Sequence, residues 1–142
     1  MSEESINRNT VQTYVRAMNA GDEDLLRSVF APDARIEGVT GGGSVDDAMP
    51  IWRQLHDGLE MLLEVTGMVA SGDTVVVRYL ESGRWSGTFL HFDQPTGRHY
   101  QLCAMEWFVL RDGRITHRWG VRDAAAQARQ VGFPLLAGKE AA

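Results

Sequence analysis

Residues 99–122 read HYQLCAMEWFVLRDGRITHRWGVR, and this stretch decides the architecture. His99 to Leu110 is mostly apolar and aromatic, without glycine or proline, which is the composition of a strand. Asp112–Gly113 supplies two residues that tolerate positive φ, and Ile115 resumes the apolar pattern, so a hairpin is expected. Asp123 can then cap a closing helix through Gln130, with Gly132 as its stop.

Upstream of this hairpin the chain continues to read as strands. Met61 to Val69 and Thr74 to Leu80 are apolar runs separated by the tight turn Ser71–Gly72–Asp73, and Arg84 to Phe92 reaches His99 through Pro95–Thr96–Gly97. Before Met61 the period changes from two to about 3.6. Ser5 can cap a helix whose Val11, Tyr14, Val15 and Met18 share one face, and Gly21 ends it. Asp22 can cap a second helix with Leu25, Leu26, Val29 and Phe30 inward, stopped at Ala31–Pro32. A short strand over Ala34 to Glu37 and a flexible Gly41–Gly42–Gly43–Ser44 loop follow. A third helix is expected from Asp46 or Asp47, with Pro50 in its first turn and Ile51, Trp52, Leu55 and Leu59 inward. Helices grouped ahead of a strand meander imply an α+β fold, a curved antiparallel sheet covered by N-terminal helices around a central cavity.

The 142 residues suit one domain spanning 1–142. A net charge of −5, with scattered arginines and Lys139 as the sole lysine, argues against nucleic acid as a partner. No apolar run approaches a membrane span and no secretory signal is visible, so no membrane partner and a cytoplasmic location are expected. Cys103 stands alone inside an apolar strand and is expected to be a buried, inert thiol. His56, His91, His99 and His117 lack the spacing of a metal site, and neither GxSxG nor GxGxxG occurs in a suitable context, so no metal or cofactor is expected.

Several pieces in order carry a resemblance: Tyr14 to Asp22, Gly72–Asp73–Thr74, Pro95–Thr96–Gly97–Arg98, Asp112–Gly113–Arg114–Ile115, and Arg129–Gln130–Val131–Gly132. Together they resemble the SnoaL-like polyketide cyclases over roughly residues 10 to 133. The resemblance implies an NTF2-like cone, a homodimer through the outer sheet face, and work on aromatic polyketides without metal or organic cofactor. Counted from the hairpin, the histidine and aspartate of the family's aldol cyclases fall on Glu106 and Gly120. Their absence points to the subgroup associated with ring hydroxylation, in which the substrate's own reduced quinone reacts with oxygen and a separate reductase can take part. An aldol cyclase, a ketosteroid-isomerase-like proton-transfer enzyme and a non-catalytic ligand-binding or assembly protein are the alternatives.

The candidate residues follow from chemistry. Glu106 is a carboxylate within an apolar strand, a potential base or one half of an ion pair with Arg118. His117 is a proton shuttle or a hydrogen-bonded sheet residue. Asp123 is a cavity acid or a helix cap. Tyr14 could donate to a substrate carbonyl, and Met18 and Phe30 lie on the apolar faces of the first two helices. Trp52, Trp85, Trp107 and Trp119 offer flat indole faces to a planar aromatic substrate. Register decides which of these meet. A plain two-residue turn sets Glu106 opposite Trp119, whereas a bulge at Gly113 sets it opposite Arg118, on the side that carries Gly120. The family's need for two cavity residues on one face favours the bulge.

Overall fold

The computed structural model describes residues 2–38 and 41–133. The tail from Leu135, which its small residues would make prone to fray, lies outside the described residues. Helix α1 (Glu3–Ala20) begins at Ser2, whose hydroxyl accepts from the Ser5 amide, so the cap lies three residues ahead of the expected Ser5. Gly21 closes α1 in the left-handed region, and Asp22 caps α2 (Glu23–Ser28). That second helix is shorter than its apolar pattern suggests. Phe30 belongs instead to strand β1 (Phe30–Gly38), still buried but projecting from the sheet.

The glycine run forms a short strand, β2 (Gly41–Gly43), paired antiparallel to β1. Ser44 and Asp47 make a reciprocal capping box for α3 (Val45–Leu59), which therefore starts ahead of the expected Asp46 or Asp47 and carries Pro50 in its second turn, not its first. Strands β3 (Leu62–Ser71), β4 (Thr74–Arg84), β5 (His99–Arg111) and β6 (Arg114–Arg122) form the meander, and α4 (Ala124–Val131) follows. The sheet order is β2-β1-β6-β5-β4-β3, antiparallel throughout except for the parallel pairing of β1 with β6. Among the described residues no helix is long and apolar enough to cross a membrane.

The expected strand from Arg84 to Phe92 is not one. After the Trp85 amide bonds to the Arg98 carbonyl, the chain leaves the ladder, and the amides of Ser86 and Gly87 bond to the Gly58 carbonyl at the end of α3. Glycine at 58 permits this approach, since a Cβ there would overlap the Thr88 carbonyl. Trp85, Phe92 and Phe133 then cluster, with Phe92 and Phe133 stacked at 4.3 Å. Burying these rings against one another outweighs the few ladder hydrogen bonds the segment gives up.

The β5–β6 hairpin settles the register in a way neither alternative anticipated. Asp112 and Gly113 both have positive φ, so the turn is a tight two-residue one, with Arg111 opposite Arg114 and Leu110 opposite Ile115. The extra residue comes later, at Thr116, between the pairs Leu110↔Ile115 and Val109↔His117. The Thr116 hydroxyl donates to the Val109 carbonyl at 3.0 Å, which occupies an acceptor at the interrupted ladder. Beyond this bulge Glu106 lies opposite Gly120, and Phe108 opposite Arg118.

Even-numbered residues of β5 from Tyr100 to Leu110 therefore face the helices, while His99, Cys103, Met105 and Trp107 face out. Cys103 is exposed, not buried, because it falls on the outward phase of a strand whose two faces are both apolar. Helix α1 lies across the inner face. Asn19 clamps its end to the edge strand, accepting from the Leu63 amide at 2.8 Å and donating to the Leu63 carbonyl at 3.0 Å.

Candidate active site

Between the sheet's inner face and helices α1 and α3 lies a cavity of about 230 Å³. Its walls include Met18, Trp52, Leu55, Met61, Leu63 and Phe89, and its opening lies near the exposed Gly41, Gly42, Ser44 and Asp47. The volume falls somewhat below the roughly 300–1,000 Å³ of drug-sized ligand sites, which suits a small flat molecule whose rim projects from the mouth.

One pole of this apolar hollow is polar. The Tyr14 hydroxyl, from the buried face of α1, donates to Glu106 Oε2 at 2.7 Å. Arg118 Nε lies 3.2 Å from the same oxygen, close enough to pair in charge but angled off a hydrogen bond. Its Nη1 donates to the Glu37 carbonyl at 3.0 Å, and the guanidinium sits 5.7 Å from the centre of the Trp52 ring. Tyr79, on the inner phase of β4, completes the pole.

Three atoms here are buried without a hydrogen-bond partner: Glu106 Oε1, the Tyr79 hydroxyl and Arg118 Nε. Unpaired polar atoms in an apolar interior are costly, and the Tyr79 hydroxyl also interacts with Glu106, so the three atoms form one undersatisfied polar cluster in the wall of the cavity. Burial and the neighbouring Glu106 charge hold both Tyr14 and Tyr79 well above the usual phenol range, so both remain O–H donors. Burial on its own would weaken the proton affinity of Arg118, but Tyr14 and Glu106 reverse this, and the guanidinium stays charged.

A second polar group borders the same cavity. Glu81, only 2% exposed, accepts from the Tyr100 hydroxyl at 2.7 Å and from Arg122 through Nε at 3.1 Å and through Nη2. Arg122 Nη1 also donates to Gln127 at 3.1 Å. Sequence reasoning missed this pair. The signal for Glu81 is that it continues the inward phase of Val75, Val77 and Tyr79, which becomes visible only when β4 is extended past Leu80.

Of the residues singled out from the sequence, Tyr14, Met18, Trp52, Glu106 and Arg118 come together at the cavity. Phe30 stands behind it, stacked on Trp52 at 5.6 Å. Trp85 is removed from the wall to the aromatic cluster at the end of the sheet. His117, Trp107 and Trp119 are corrected outright: Trp107 falls on the outward phase of β5, and the Thr116 bulge brings His117 and Trp119 of β6 to the same outer face. There Trp107 is 50% exposed, and His117 stacks on Trp119 at 3.6 Å and pairs with Glu37. Asp123 is the cap of α4, accepting from the Ala126 amide at 3.0 Å.

A bent sheet whose helices roof an apolar hollow with a carboxylate pole defines an NTF2-like cone. The chain belongs to the SnoaL-like polyketide cyclase family, whose model matches residues 8–131. Solved structures agree on the fold. IdmH, a proposed polyketide cyclase from Streptomyces antibioticus, is similar at 26% identity and a TM-score of 0.78, over 89% of this chain and 98% of that one. AclR, a proposed hydroxylase from Streptomyces galilaeus, is similar at 19% identity and a TM-score of 0.82, over 94% and 100%. A proposed SnoaL-like polyketide cyclase from Jannaschia sp. CCS1 reaches a TM-score of 0.84 at 23% identity, over 95% and 98%. No curated protein sequence matches the chain.

Proposed function

We propose that this protein is a cofactor-independent hydroxylase of aromatic polyketide biosynthesis, of the anthracycline type, acting on a reduced, planar polycyclic phenol. The observation that carries this reading is a buried polar cluster in the wall of an apolar cavity, in which Glu106 Oε1 and the Tyr79 hydroxyl lack a well-formed hydrogen bond beside the fixed cation Arg118. Glu106 takes the phenolic proton, Tyr79 donates to the phenol oxygen, and Arg118 balances the resulting anion in a medium of low dielectric.

The electron-rich anion then reacts with dioxygen. One oxygen atom enters the ring and the other leaves as water. The two electrons come from the hydroquinone, which ends as a quinone. A separate reductase would supply the hydroquinone. Because Cys103 is exposed and unpaired, a reducing compartment such as the cytoplasm suits the protein.

An aldol cyclase or isomerase remains the second reading, favoured by the same free carboxylate oxygen. What it lacks is the second acid–base group of the family's aldol cyclases, since Gly120 stands opposite Glu106 where that aspartate would fall. The deciding experiment supplies a chemically reduced hydroxyanthraquinone and labelled dioxygen. Label appearing in the ring, one oxygen molecule consumed per product, is the expected result. Product without label overturns hydroxylation.

The outer sheet face supports a homodimer. Met105, Trp107, Trp119 and Val121 present large apolar surfaces there, with Val121 65% exposed and the two tryptophans paired across β5 and β6. A second copy meets such a face through a two-fold axis. Combining Trp107→Glu with Met105→Arg, neither of which lines the cavity, should halve the mass found by sedimentation and leave the cavity's ligand affinity unchanged. An unaltered mass rules out this face as the interface.

A further inference from the structure

The cavity wall holds a second ion pair, and stability alone does not explain its place there. Arg122 stands opposite Ala104 and Glu81 opposite Leu102, so their bond reaches from β6 to β4 across the intervening β5, where the small Ala104 leaves room. Both side chains line the cavity. Leu102 is four residues from Glu106, which puts the Glu81 end of this pair about 13 Å along the strand from the Glu106 rung. Apolar residues often replace a buried ion pair without loss of stability, so a pair set in an otherwise apolar hollow needs another reason. Its donors supply one. A guanidinium has five N–H groups. Arg122 directs two to Glu81 and one to Gln127, and the Tyr100 oxygen is near enough to take a fourth. One N–H remains, on a terminal nitrogen of a side chain that is 13% exposed.

We infer that Arg122 is a specificity-determining residue, which donates its remaining N–H to an acceptor oxygen on the ligand ring furthest from Glu106, while Glu81 and Gln127 hold the guanidinium in place. This rests on the proposed reading of the cavity as a site for a planar phenol, and adds a requirement at the other end of that molecule. A carbonyl, hydroxyl or ether oxygen is selected there over an alkyl group. Oxygens on the two outer rings of a linear three-ring system span a length comparable to the separation of the two polar groups. The ion pair does not have to open, because the oxygen takes a donor that Glu81 does not use. An alkyl group at the same point would instead leave that N–H buried without a partner.

The test compares 2,6-dihydroxyanthraquinone with 2-hydroxy-6-methylanthraquinone. These probes are nearly equal in size, share the hydroxyl for the Glu106 end and differ only at the other. Dissociation constants are measured by quenching of tryptophan fluorescence, at a pH where both probes are neutral. Wild type should bind the dihydroxy probe about tenfold more tightly, as a hydrogen bond from a charged donor provides. Glu81→Leu combined with Arg122→Met leaves no stranded charge and should bind the two probes alike. Arg122→Lys keeps a cation beside Glu81 but not the guanidinium fork. It should also lose most of the preference, and it decides the matter should the double variant not fold. A wild-type protein that binds both probes with equal affinity overturns the inference and leaves the planar-ligand reading standing. A tenfold preference that survives in the variants overturns it too. Failure of wild type to bind either probe is a different result, which removes the planar-ligand reading and this inference with it.

Discussion

Glu106→Gln is expected to lower turnover at neutral pH by roughly 10²–10⁴-fold, the usual contribution of a positioned base. Activity should return as the pH is raised. Glutamine keeps the shape of the side chain, and its amide oxygen can still accept from Tyr14, which holds Glu106 at 2.7 Å in the wild-type protein. What it loses is the ability to take a proton. If the proton belongs to a phenol, alkaline solution ionises the substrate without help, and Arg118 is still charged and in place to receive the anion. If the proton belongs to carbon, as in an aldol closure, no accessible pH replaces the base and the loss persists. Turnover against pH for the two proteins thus separates hydroxylation from cyclisation. A variant as active as wild type at every pH would show that Glu106 serves only to pair Arg118.

The second large effect concerns stability. Arg122→Met should destabilise the fold by about 3–5 kcal/mol, because it strands the Glu81 carboxylate, buried to 2% exposure, with the Tyr100 hydroxyl as its remaining donor. For a domain of this size that corresponds to a fall in Tm of roughly 10–20 °C. Adding Glu81→Leu to the same protein should restore most of the loss, since apolar residues often replace a buried ion pair without cost. Thermal unfolding of wild type, both single variants and the double variant closes the cycle. A single variant that melts within a degree or two of wild type would mean that water reaches Glu81 and that the pair is not structural.

Most of the architecture was legible because its signals are local. The 3.6-residue rhythm of Val11, Tyr14, Val15 and Met18, the caps at Asp22 and Asp123, and the stops at Gly21 and Gly132 all appear where chain-local hydrogen bonding and sterics put them. The Asp112–Gly113 turn belongs with them. Segment 85–98 was misread because Trp85, Phe89 and Phe92 look like a strand's apolar residues, whereas their burial depends on Phe133 and on the end of α3.

The site divides along the same line. Glu106, Arg118, Tyr14, Met18 and Trp52 could be named from residue type and from the phase of their own elements, and the fold brings them to one cavity. Side chains of β5 alternate strictly, however, and both of its faces are apolar, so sequence alone left the choice of inner face open. Packing of Tyr100, Leu102, Ala104 and Phe108 under the helices made that choice for β5 and sent Cys103 and Trp107 outward, and one added residue at Thr116 set β6 to match, with His117 and Trp119 outward. The Glu81–Arg122 pair was likewise invisible, since it joins groups on different strands. Sequence by itself determined where helices and turns fall, because those depend on neighbours a few residues away. Only the tertiary structure decided which face of the last hairpin is the inside, because a single-residue shift in strand pairing exchanges every side chain between core and solvent.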